Sequence, residues 1–210
     1  MLNNIPAAYE DEFLLVVNKP PGLLTISGPG SKDRHLTLIL NEDAVREGKS
    51  YKLHACHRLD KETSGLVMYA KNNEVCQLMM DKFRRHEVRK FYRAFAHGRI
   101  SQDEGRITKP LEGKPAVTVF RVLKRSADYT DLDVRPQTGR TNQIRLHFKS
   151  IGHPLVGESK FIFRRDFALR AKRLCLHAVA LEFTHPVTKK NIRVQCPLAN
   201  DMEKFLLEHA

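Results

Sequence analysis

The segment His57-Arg58-Leu59-Asp60-Lys61-Glu62-Thr63-Ser64-Gly65-Leu66-Val67-Met68-Tyr69-Ala70 sets a dense polar run directly against an apolar one. The apolar part, 66–70, is short, uninterrupted and bounded by turn formers, which predicts a buried strand. Thr63, Ser64 and Gly65 can hold a turn, so the polar part becomes a loop feeding that strand, with a carboxylate and a guanidinium projecting from it. Residue types alone leave two readings open: a functional loop carried by a sheet, or a cap or turn bearing a surface ion pair.

Outward from this segment, strands and helices mix. Upstream, 13–17 (Phe-Leu-Leu-Val-Val) predicts a second buried strand, which Asn18-Lys19-Pro20-Pro21-Gly22 stops. Gly28-Pro29-Gly30-Ser31 reads as a loop, and 36–46 as a short helix with Leu36, Ile39 and Leu40 on one face. Downstream, a helix is expected over 73–86. Val75, Leu78, Met79 and Phe83 form its core stripe, and Arg84, Arg85 and His86 lie at the negative end of its dipole. Strands are expected at 91–96, 117–123 and 129–135; in the last, Leu132 and Val134 alternate with Asp131, Asp133 and Arg135, which predicts one wet face. Ile144, Phe148 and Ile151 mark a further core helix. Two closing strands carry Val179, Leu181 and Phe183, then Ile192, Val194 and Cys196. With no repeat and no long linker, the expectation is a single domain over 1–210. Its class is α+β, with a mixed, mostly antiparallel central sheet flanked by helices and loops.

The 210 residues suffice for a substantial core without covalent staples. No apolar run approaches the roughly 20 residues that span a bilayer, and 1–11 lacks Lys and Arg, so neither a membrane anchor nor a secretory signal is expected. The four cysteines (Cys56, Cys76, Cys175, Cys196) are scattered without zinc spacing, which suits a cytoplasmic protein and argues against a metal site. The 36 Lys and Arg against 24 Asp and Glu give a net charge of +12. That surplus points to a polyanionic partner, nucleic acid first, because each neutralised phosphate releases counterions.

A second polar constellation is Pro136-Gln137-Thr138-Gly139-Arg140-Thr141-Asn142-Gln143-Ile144-Arg145-Leu146-His147. Thr138-Gly139 ends a strand, Thr141 is placed to cap a new helix, and Arg140, Gln143 and Arg145 gather at its first turn, where anions are favoured. A solvated basic helix face is the bland alternative.

Taken together these motifs resemble one family. His57-Arg58-Leu59-Asp60 with Thr63-Ser64-Gly65 is similar to the HRLD-x-x-TSG signature of RluA-type pseudouridine synthases, which modify uridines in ribosomal and transfer RNA. In the same order follow counterparts of other family motifs. Asn18-Lys19-Pro20-Pro21-Gly22 resembles NKP-x-G, Lys90-Phe91-Tyr92-Arg93-Ala94 resembles K-x-Y-x-A, and 138–147 resembles TGR-x-HQIR-x-H. Gly152-His153-Pro154 with Gly157, Leu176-His177-Ala178 and His185-Pro186 match closing signatures. The likeness runs over 13–197. Asn142 stands where the family usually has His, which implies altered contacts rather than lost catalysis. The resemblance also implies a short form that starts at the catalytic domain, with no RNA-binding module before it.

The reaction so implied breaks the N1–C1′ bond of a uridine, turns the uracil and joins C5 to C1′ without net redox change, so no cofactor is required. The resemblance assigns Asp60 as the catalytic carboxylate; attack on C1′, addition to the uracil and removal of the C2′ proton all remain open to it. It also assigns Arg145 as that carboxylate's guanidinium partner and Tyr92 as the active-site tyrosine that stacks on the uracil and helps remove the C5 proton. Arg58 is the arginine that fills the space left by a flipped base, and Ile144 an apolar wall. Lys19, Arg140 and the Arg84-Arg85 pair are candidate phosphate contacts. The expected partner is structured RNA (tRNA, ribosomal RNA or both), bound by a monomer. The competing class is an RNA-binding or chaperone protein that keeps the fold without the reaction. Gly48-Lys49-Ser50 lacks the first glycine of a phosphate-binding P-loop, and no H-E-x-x-H, G-x-S-x-G or G-x-G-x-x-G occurs.

Overall fold

Hydrophobic periodicity resolves into ten strands and four helices among the residues that the computed structural model describes, 5–28, 33–162, 167 and 169–209. In chain order the first are β1 (Ala7–Glu10), β2 (Leu14–Lys19), α1 (Leu36–Arg46), β3 (His54–Ala55), β4 (Ser64–Ala70) and α2 (Asn73–Arg84). There follow β5 (Arg89–His97), β6 (Glu104–Ile107), β7 (Thr118–Arg125), β8 (Tyr129–Pro136) and α3 (Gln143–Ser150). The last are β9 (Leu176–Thr184), β10 (Asn191–Gln195) and α4 (Asn200–Glu208). They group into two compact units, Met1–Arg89 with Ala180–Cys196, and Lys90–Val179 with Pro197–Ala210. The α+β class holds, and the sheet is mostly antiparallel: β2 pairs antiparallel with β1 and β4, and β7 with β6 and β8.

In the first unit β2 and β4 run side by side with Val17 opposite Val67 and Leu15 opposite Tyr69. Every residue of β4 is buried. On one face Leu66, Met68 and Ala70 pack with Leu14 and Val16 of β2, Val75, Cys76 and Met79 of α2, and Leu181, Phe183 and Val194 of the β9–β10 hairpin. On the other, the Tyr69 hydroxyl lies 3.1 Å from that of Thr37 in α1, whose Leu36, Ile39 and Leu40 are buried as expected. The Asn72 side chain caps α2 by accepting from the Val75 N–H at 2.8 Å. The α2 stripe needs correction. Leu78 is 43% exposed and Cys76 is buried instead, because at 100° per residue 75, 76, 79 and 83 share one face while 78 falls off its edge. The helix also ends at Arg84 rather than His86, which takes φ +60.

In the second unit β5, β8, β7 and β6 form a continuous antiparallel order. Phe148 of α3 packs on Phe120 of β7 at 5.4 Å between ring centres, whereas Ile151, expected in that core, lies beyond the helix and is exposed. The wet face predicted for β8 holds at Asp133, half-buried, and Arg135, exposed, but not at Asp131. Asp131 is 1% exposed, because Arg93 on β5 grips its carboxylate through Nε and Nη2 and satisfies it inside the sheet. Helix α4 was not predicted, although Met202 and Phe205 have helical spacing; Phe205 stacks on Phe95 at 5.3 Å and meets Tyr129 edge-on at 5.2 Å. Of the loop expected at 28–31, only Gly28 belongs to the described residues.

Candidate active site

The Asp60 loop belongs to the first unit, and its backbone is fastened on each side of the carboxylate. Before it, the buried Thr25 hydroxyl donates to the Leu59 carbonyl at 3.0 Å and accepts from the Leu59 N–H at 3.1 Å. After it, the Lys61 carbonyl accepts from the Gly22 N–H at 2.8 Å and from Lys19 Nζ at 3.2 Å. The Asp60 carbonyl accepts from the Thr63 N–H at 3.2 Å, closing a tight turn. Gly65 then takes φ +111, a conformation that a side chain would strain, as the chain enters β4. Upstream, the Met68 N–H donates to His57 Nε2 at 3.1 Å, which makes that nitrogen the unprotonated one. Leu59 and Thr63 are thereby buried, while Asp60 is partly exposed and Arg58 exposed. The loop combines a fixed backbone with a carboxylate that a substrate can reach.

Lys19 is not where a surface phosphate contact would be. It is 0% exposed, and its ammonium donates to the carbonyls of Leu23 at 2.7 Å, Pro20 at 3.0 Å and Lys61 at 3.2 Å. Strand β2 ends there because Pro20 follows, and the carbonyls released by the turn converge on the ammonium. Its role in this geometry is to hold the Asp60 loop. Arg84 and Arg85 stay exposed at the end of α2, Arg84 in an ion pair with Asp81.

Tyr92, Ile144, Arg145 and Arg140 belong to the second unit. Tyr92 stands on β5 opposite Val134 and is 9% exposed. Helix α3 is seated by two polar side chains. Gln143 Nε2 donates to the Val117 carbonyl at 2.9 Å and lies 3.1 Å from the Thr118 hydroxyl, and His147 bridges that hydroxyl and the Lys109 carbonyl, each at 2.9 Å. Gln143 Oε1 also accepts from the Thr138 hydroxyl at 2.7 Å and the Arg140 N–H at 3.0 Å. Gln143 is therefore a structural hub rather than an anion ligand. The cap residue is Asn142, at φ +54 and with no side-chain cap bond, and not Thr141 as expected. Ile144 is buried, and Arg140 Nε donates to the Pro115 carbonyl at 3.1 Å.

Arg145 is 2% exposed and bound by Glu158, with Nε on Oε2 and Nη2 on Oε1, both at 2.7 Å. Its Nη1 donates to Asn142 Oδ1 at 3.0 Å, and its guanidinium lies 5.0 Å from the centre of the Phe161 ring. Five N–H donors give this fork capacity for a further acceptor beside Glu158. Burial alone would raise the Glu158 carboxyl. The Arg145 guanidinium and the N–H groups of Lys160 and Ser159 outweigh it and hold the group below the usual carboxylate range. Glu158 was missed from sequence: Arg145 was expected to partner Asp60, and nothing in the residue pattern singled out a second carboxylate for it. Gly157 just before it takes φ +77, and a Cβ there would lie 1.9 Å from the Arg173 carbonyl oxygen, so only glycine lets the two backbones meet.

A family model described as RNA pseudouridylate synthase matches residues 13–150. The chain is 36% identical over 219 residues to the uncharacterised RNA pseudouridine synthase YlyB of Bacillus subtilis, covering 94% of this chain and 70% of that one. It is 34% identical over 207 residues to the dual-specificity RNA pseudouridine synthase RluA of Pasteurella multocida, covering 91% of each. Among solved structures, human RNA Pseudouridylate Synthase Domain Containing 4 superposes with a TM-score of 0.80 at 23% identity, over 96% of this chain and 91% of that one, a likeness of fold.

Proposed function

The chain belongs to the RNA pseudouridylate synthase family, and from that premise we propose that it isomerises particular uridines of tRNA, ribosomal RNA or both, with Asp60 as the catalytic carboxylate. The observation that carries this reading is the Asp60 loop itself, clamped through Leu59 and Lys61 yet leaving its carboxylate partly exposed. A base in folded RNA is stacked, so the target uridine is extruded first, and Arg58, exposed beside the loop, takes the vacated space. The N1–C1′ bond then breaks, the uracil turns, C5 bonds to C1′, the C5 proton leaves and N1 ends protonated.

Tyr92 stacks on the uracil and assists removal of the C5 proton, Arg145 supplies a fixed positive charge to the reaction, and Ile144 an apolar wall. Arg140 is a phosphate contact. All of 1–210 acts as one catalytic domain, as a cytoplasmic monomer. The free state of all four cysteines suits that compartment, and no described helix is long and apolar enough to cross a membrane. The names of the relatives, one of them of dual specificity, support RNA as substrate.

Tritium release from [5-³H]uridine-labelled tRNA and ribosomal RNA transcripts tests the reading. Wild type is expected to release label with neither metal nor nucleotide added, and Asp60→Asn to release none while binding RNA with unchanged affinity. Full activity in Asp60→Asn would remove Asp60 from the reaction. Binding without release by wild type would favour the chaperone class.

A further inference from the structure

Four buried or half-buried cations among the described residues have evident partners. Lys19 has three carbonyls, Arg145 has Glu158, Arg93 has Asp131 and Arg173 has Asp201. Lys90 differs. It is half-buried, and among the described residues its ammonium donates one hydrogen bond, to the Thr138 carbonyl at 3.1 Å. Burial alone acts on its charge and brings it down to about 8, with no carboxylate opposing the effect. An ammonium has three N–H donors, and this one, half-buried, has given up part of its hydration with no carboxylate paired to it among the described residues.

Its surroundings are built and reachable. Lys90 and Tyr92 are two residues apart on β5, so their side chains leave the same face of the strand about 7 Å apart. The facing wall is the loop 138–140, which Gln143 locks by accepting from the Thr138 hydroxyl and the Arg140 N–H, while the Val117 N–H donates to Thr138 Oγ1 at 2.9 Å. Gly139 is exposed, and a Cβ there would stand 3.5 Å from Lys90 Nζ, so a side chain at this position would touch the ammonium; the Arg140 side chain is next in sequence.

The geometry points to Lys90 as a phosphate contact: its ammonium receives a backbone phosphate of the RNA beside the nucleotide that Tyr92 faces, with Arg140 beyond Gly139 as a second cation. This rests on the reading above, in which Tyr92 meets the target uracil. A phosphate oxygen supplies the missing anion, and an ammonium, as a point charge, accepts it from several directions. A neutral uracil carbonyl would leave the charge uncompensated.

The test compares wild type, Lys90→Met and Lys90→Arg on a transcript that wild type modifies, scoring tritium release and RNA affinity against salt. Lys90→Met should raise KM and Kd about tenfold with kcat within a factor of two, and lower the slope of log Kd against log salt by about 0.7 to 0.9, one phosphate. Lys90→Arg should restore the slope. A kcat loss with affinity and slope intact, or no change at all, would overturn the proposal and leave the pseudouridine synthase reading standing. A wild type inactive on every transcript would take down both. Protection of Lys90 from acetic anhydride by bound RNA, read by mass spectrometry on the unsubstituted protein, decides the matter if Lys90→Met does not fold; an unprotected Lys90 refutes the contact.

Discussion

Arg145 and Glu158 meet as a bidentate pair, two 2.7 Å bonds between side chains that are 2% and 1% exposed. Both charges have left water, so each depends on the other. Glu158→Gln keeps the shape and removes the anion; it should destabilise the protein by about 3 kcal/mol in urea unfolding. It should also lower kcat through a displaced guanidinium. Combining it as Arg145→Met with Glu158→Leu should recover most of the stability and none of the activity. A Glu158→Gln protein of unchanged stability would show that Arg145 keeps its place without the Glu158 carboxylate.

Lys19 gives a second prediction. Removing its ammonium leaves the Pro20, Leu23 and Lys61 carbonyls without that donor. Lys19→Met should cost about 2–3 kcal/mol of stability and reduce kcat by loosening the Asp60 loop, with RNA affinity preserved. An affinity loss with normal kcat would return Lys19 to the phosphate contacts.

Acid should weaken the second unit through His177. Burial lowers this imidazole to about 4, with Nε2 2.9 Å from the Pro197 carbonyl. The unfolded chain takes up the proton near pH 6.5 and the folded one does not. Stability is therefore complete above that pH and lost on acidification, by about 2 kcal/mol between pH 7 and 5. Urea titrations at the two pH values should show the loss, and His177→Gln should abolish that share of it.

Gly157→Ala combines a left-handed φ with a Cβ 1.9 Å from the Arg173 carbonyl oxygen. It should destabilise by more than about 2 kcal/mol and displace Glu158. Melting temperature and activity falling together would bear this out; a stable, active variant would mean that the two backbones can part without cost.

The parts of this structure legible in sequence are those set by local pattern. Helix α1 begins and ends where Leu36, Ile39 and Leu40 and the following polar residues put it, and β4 follows the apolar run after Gly65. What escaped depends on partners distant in sequence. The carbonyl that Lys19 shares with Gly22 belongs to Lys61, forty-two positions away from the lysine. Asp131 looked solvent-facing by alternation, and only the strand pairing that brings Arg93 near it explains its burial. Glu158 was invisible for the same reason, and Lys90 was read only as part of a motif, without a role: a charge becomes notable through what surrounds it, which no residue type discloses.

Asn142 breaks the family's sequence pattern yet keeps a conformation. At φ +54 its backbone is left-handed, a region that asparagine and histidine enter far more readily than β-branched residues do. The exchange of histidine for asparagine thus passes a filter set by main-chain torsion before any side-chain chemistry is consulted. At this helix start the admissible alphabet is short, and a search for functional variants here belongs among asparagine, aspartate, histidine and glycine.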